Sequence, residues 1–135
     1  MKDRAVKYFL TGGYSCSEAV IKAAAEEGLI DENPDVLMKI ASAFSGGMAS
    51  GCVCGAVSAS QICIGAKYGR TDASGEKIGN LSSELVSKFK EKHRATCCKF
   101  LSRGFEHSDP NRKLHCQKFV ADACDILEGI IKNKS

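Results

Sequence analysis

The chain contains no run approaching the roughly 20 apolar residues that span a bilayer. Its opening, Met1-Lys2-Asp3-Arg4-Ala5-Val6-Lys7-Tyr8-Phe9-Leu10, lacks the uninterrupted apolar stretch of a signal peptide. A soluble, intracellular, cytoplasmic protein without membrane insertion is the expectation. Aromatic residues make up only 7% of the chain, so no base-stacking platform is apparent. The net charge of +3 is too small to imply nucleic acid, and the basic cluster from Lys88 to Lys99 reads as a solvated helix face. No segment alternates in the manner of a half-buried strand. Phosphate loop, dinucleotide glycine fingerprint and Gly-x-Ser-x-Gly elbow are all missing. The chain has no Cys-x-x-Cys, which removes the zinc-ribbon knuckle, the c-type haem attachment and the thioredoxin motif.

What the chain does have is cysteine. Eight in 135 residues is about 6%, below the level of a secreted disulfide scaffold. In a reducing compartment, that many thiols point to ligands or redox chemistry. The plainer reading is that several are small buried hydrophobes. A mixture of the two is expected.

The most unusual stretch is Gly46-Gly47-Met48-Ala49-Ser50-Gly51-Cys52-Val53-Cys54-Gly55-Ala56. Its glycines permit positive φ and close backbone approach, so it reads as a loop that can wrap tightly around something. Around it the pattern is helical. Residues 3–10 form a short amphipathic helix ended by Gly12-Gly13. Ser15-Cys16-Ser17-Glu18 has capping-box spacing and opens a helix to about Glu27, with Gly28 at C′. Asn33-Pro34-Asp35 starts another, with Val36, Leu37, Ile40, Ala41 and Phe44 as its apolar stripe.

A helix rich in Ala, Ser and Gly runs from about Cys54 or Gly55 to Tyr68 and suggests a central, closely packed element. Asn80 caps a helix to about His93, with Leu81, Leu85, Val86 and Phe89 inward. Thr96 caps a brief one through Cys97-Cys98. Asp109-Pro110-Asn111 reads as a turn, and the last helix as about Leu114 to Lys132. The expectation is an all-α, single-domain bundle of five to six helices over residues 1–135.

On this reading Cys16, Cys54, Cys98 and Cys116 each fall in the first turn of a helix. There, free N–H groups and the dipole favour an anion and lower a thiol pKa. Thiolate is the attacking species in disulfide exchange and the form that binds soft metals. Cys63 and Cys124 read as core. Cys52 and Cys97 are secondary candidates, since each neighbours a favoured cysteine. His115 precedes Cys116 but reads more simply as a surface histidine, and His93 and His107 have no motif around them.

The spacing of Cys16, Cys54-Gly55-Ala56-Val57-Ser58-Ala59, Cys98 and Cys116 resembles the redox-active protein family named for a C_GCAxxG_C_C pattern. Cys16-Ser17-Glu18-Ala19-Val20, Phe44-Ser45-Gly46-Gly47-Met48 and Cys98-Lys99-Phe100-Leu101 extend the likeness over nearly the whole chain. Two departures stand out: Ala59 replaces the last glycine of the pattern, and Cys52 and Cys97 are extra. The resemblance implies a redox role resting on the four cysteines, and association with transporters. Some members are similar to a domain of split-Soret cytochromes, which implies an iron–sulfur site, although no haem attachment sequence is present here.

Three functions follow. Cys16, Cys54, Cys98 and Cys116 could ligate an iron–sulfur cluster or a single metal for electron transfer. N–H groups of the loop glycines Gly46, Gly47, Gly51 and Gly55 would then bond its sulfurs. The same thiols could act without metal in thiol–disulfide exchange. Alternatively a structural zinc holds a binding module or transporter accessory together. Whether a substrate is turned over is not written in the sequence. The redox partner is unknown, and a homodimer is carried as an open expectation.

Overall fold

A computed structural model describes residues 1–134. These form seven α-helices: α1 Lys2–Thr11, α2 Cys16–Glu26, α3 Pro34–Ser42, α4 Gly55–Tyr68, α5 Gly79–His93, α6 Cys98–Leu101 and α7 Pro110–Lys134. That is one more than the upper expectation of six. Among the described residues there is no strand, only one antiparallel bridge between Val53 and Cys97. None of the described helices is long and apolar enough to cross a membrane.

The apolar periodicity builds one core. α7 lies along α1, and α2 packs on both α3 and α4. α4 also meets α5 and α7, which places it at the centre. Its inward positions Gly55, Ala56, Ala59 and Ser60 are all buried. Side chains this small let neighbouring helices approach closely. Cys63 of α4 and Cys124 of α7 are fully buried in this core. Buried polar groups are matched: the Ser17 hydroxyl donates to the Ala41 carbonyl at 2.7 Å, tying α2 to α3. Ser82 and Gln61 exchange two hydrogen bonds between α5 and α4.

Local start signals largely hold. The capping box of α2 is complete, with Glu18 N–H donating to the Ser15 hydroxyl and Ser15 N–H to the Glu18 carboxylate. Gly28 takes φ +75° just beyond the helix. Three expectations change. α7 begins at Pro110, because Asp109 accepts from the Asn111 N–H and so caps a helix where the sequence suggested a separate turn. α5 and α6 are preceded by Ile78 and Cys97 as N-caps, in place of Asn80 and Thr96. In α3, Leu37 and Ala41 are buried while Val36 and Ile40 are about half exposed. That helix covers the core with a narrower stripe than its five apolar residues implied.

Candidate functional site: a four-cysteine cavity

The four cysteines of the spacing pattern arrive on four different elements. Cys16 is the first residue of α2, fixed by the capping box. Cys54 is the N-cap of α4. Cys98 opens α6. Cys116 lies two turns into α7, not in its first turn, because α7 starts six residues before it.

The glycine-rich loop makes this convergence possible. Gly46, Gly47, Met48 and Ala49 all have φ between +53° and +65°, a left-handed turn that costs non-glycine residues about 1–2 kcal/mol each. Gly47 has no alternative, since a β-carbon there would come within 2.5 Å of the Cys52 backbone nitrogen. The chain then runs antiparallel to the segment before α6. Cys54 N–H donates to the Thr96 carbonyl, and Cys98 N–H to the Cys52 carbonyl. Two backbone bonds thereby tie the Cys54 loop to the Cys98 helix.

All four cysteines line one cavity of about 360 Å³, together with Gly46, His107, Asp109, Arg112 and Lys113 among others. All eight cysteines are free thiols. Cys52 and Cys97 are exposed and do not line this cavity, and the Cys97 thiol donates to the Gly51 carbonyl at 3.1 Å. Of the adjacent pair, Cys98 is the one facing the site. Gly46 borders the cavity, Gly55 is buried beneath Cys16, and Gly51 presses against Lys99.

The electrostatics reverse one expectation. Burial pushes the Cys16 thiol up, outweighing the N–H groups of Gly46 and Ser17 that favour its thiolate. Burial likewise pushes Cys54 up to about 12, despite the N–H groups of Ala56 and Val57 at the start of α4. Cys116 is raised by burial as well, against the pull of Arg112. At Cys16 and Cys54 loss of hydration is worth more than a helix terminus, and all three thiols keep their protons at neutral pH.

Arg112 went unnoticed in the sequence. It sits one turn before Cys116 and donates to the Cys98 sulfur at 3.4 Å, so a single guanidinium serves two of the thiols. Its signal was the Asp109-Pro110 start, which makes residues 112 and 116 an i, i+4 pair. His107 also lines the cavity. His115 does not: its Nε2 meets the Leu101 carbonyl at 2.7 Å and its ring stacks on Phe105. It is a half-buried packing residue. His93 is paired with Asp122 at 2.7 Å.

Among the described residues, no three His, Cys, Asp or Glu side chains stand close enough to hold a single metal ion.

This arrangement can be set against known proteins. The sequence pattern of a family described as "putative redox-active protein (C_GCAxxG_C_C)" matches residues 14–130. The chain belongs to this family. The match runs from just before Cys16 to beyond Cys116, so all four cavity cysteines of this C_GCAxxG_C_C protein lie inside it. It also holds with Ala59, fully buried in α4, at the last glycine position. No curated protein matches the chain, and no solved structure matches it.

Proposed function

We propose that Cys16, Cys54, Cys98 and Cys116 form one redox centre that holds an iron–sulfur cluster for electron transfer. The observation that carries this is the gathering of four unbridged thiols around one cavity. A tetrahedral zinc needs four sulfurs at about 2.3 Å from one point. A cluster instead takes its four thiolate ligands on several irons. Such a group supplies one-electron transfer when bound.

The chain's own residues fit that role. N–H groups of Gly46 and Ser17 at Cys16, and of Ala56 and Val57 at Cys54, favour the ionised sulfurs. Arg112 adds a positive charge beside Cys98 and Cys116. These donors and charges offset the negative charge that four thiolates bring. Because burial holds Cys16, Cys54 and Cys116 protonated, ligation must displace their protons.

The test is a visible spectrum of protein purified without oxygen, with iron, sulfide and zinc assayed on the same sample. Absorption bleached by dithionite, with iron and sulfide in matching amounts, is the expected result. Each of Cys16→Ser, Cys54→Ser, Cys98→Ser and Cys116→Ser should lower the metal content. Full metal in all four variants would sink the reading.

The free state of all eight cysteines also favours a second reading, thiol–disulfide exchange within the same four. It predicts a colourless, metal-free protein that reversibly loses two or four titratable thiols on mild oxidation.

A further inference from the structure

Beside the thiol cavity lies a second one of about 330 Å³, lined in part by Cys98, Lys99, Ser102, Phe105, His107 and Arg112. Of the four site cysteines, Cys98 alone borders both spaces. Two glycines thin its wall. A β-carbon on Gly51 would stand 3.1 Å from Cβ of Lys99, and one on Gly46 would touch the His107 ring at 3.9 Å. The left-handed turn therefore lets Lys99 and His107 close in beside Cys98.

The charge of this cavity is one-sided. Lys99, His107 and Arg112 border it, and no Asp or Glu does. Among the described residues, none of these three forms an ion pair, although eight ion pairs occur elsewhere. Asp109 and Glu18 border the first cavity instead, where Asp109 accepts from Asn111 and Glu18 closes the capping box. The Ser102 hydroxyl is spent on the Cys98 carbonyl at 2.8 Å, which leaves the basic side chains as the groups that would meet a ligand. Two cations free of any carboxylate, Lys99 and Arg112, with the His107 ring beside them in one concave, partly apolar space, suit a small anion.

We propose that this second cavity is a binding site for a small anionic ligand bearing carboxylate or oxyanion groups, held by Lys99, His107 and Arg112 next to Cys98. Binding itself stands on charge and shape. Its value as a port to the redox centre rests on the reading of the four thiols given above.

Calorimetric titration of the full chain with sulfate and, separately, with succinate tests the site and distinguishes oxyanion from carboxylate. One of them should bind saturably at one site per chain. Lys99→Ala should weaken that binding by tenfold or more, and Lys99→Glu should abolish it. Lys118→Ala, outside this cavity, should leave binding unchanged. Lys99 is exposed, so these variants should fold.

In the reduced full chain, the bound anion should slow iodoacetamide labelling of Cys98 but not of exposed Cys97. Absence of saturable binding by both anions overturns the proposal, as does an equal loss in Lys118→Ala and Lys99→Ala. Loss of the redox centre with anion binding intact would instead remove only the link to electron transfer.

Discussion

A β-carbon on Gly55 would lie 2.5 Å from the sulfur of Cys16 and 3.0 Å from the carbonyl oxygen of Phe44. Gly55 is the first residue of α4 and needs no left-handed backbone. Its role is space: the bare Cα lets the Cys16 sulfur reach the helix start that carries Cys54. Gly55→Ala should therefore displace that sulfur and destabilise the fold by about 1–3 kcal/mol through overpacking.

Gly65, in the same helix, has nothing within 4 Å of the added carbon. Gly65→Ala should stabilise by about 0.5–1 kcal/mol. Urea unfolding of the two variants makes the comparison. Equal stabilities would show that the Gly55 contact is not a constraint.

How much of this could be read from the sequence depends on the range of the physics. The capping box at Ser15, the Asn33-Pro34 start and the buried Cys63 and Cys124 are local or periodic signals, and they reappear in the structure. Asp109-Pro110 carried the same kind of signal as Asn33-Pro34. Reading it as a turn delayed α7, which hid Arg112 and put Cys116 in the wrong helical turn. The thiol protonation was out of reach for another reason. A helix start is visible in sequence, but the burial that outweighs it at Cys54 depends on tertiary packing, which brings Cys16 of α2 and Cys98 of α6 close to it.

The left-handed turn stores strain at a known place. Met48 and Ala49 have φ of 61° and 53°, and both side chains are exposed. Ala49→Gly should relieve a cost of about 1–2 kcal/mol, offset in part by the freer unfolded chain. A net gain on the order of 0.5–1 kcal/mol is expected in denaturant unfolding. A loss of stability would mean that the turn is not held at positive φ in solution.

Arg112 should control the reactivity of Cys116. Burial raises that thiol and Arg112 draws it back. Removing the cation in Arg112→Leu should raise it further and lower its thiolate fraction. Iodoacetamide labelling of Cys116 at pH 8.5, followed by mass spectrometry in the metal-free chain, should slow on the order of fivefold. Arg112→Lys keeps the charge and should restore most of the rate. Unchanged labelling in Arg112→Leu would place the guanidinium too far from the sulfur to matter.

The buried thiols also set an alkaline limit on the metal-free fold. Cys54, Cys63 and Cys124 are each pushed up by burial to about 12 from the ordinary thiol value of 9.0. Below pH 9 the folded and unfolded chains both keep these protons, so the three thiols add no pH dependence there. Above it the unfolded chain ionises while the folded one does not, and unfolding releases protons. Stability should then fall steadily from about pH 9 towards pH 12. Cys63→Ala and Cys124→Ala each delete one such proton without touching the four-cysteine cavity. Each should flatten the fall in urea-derived stability over that range, even if the smaller side chain lowers stability at neutral pH. Slopes identical to that of the parent chain in both variants would mean that these thiols ionise equally well folded and unfolded.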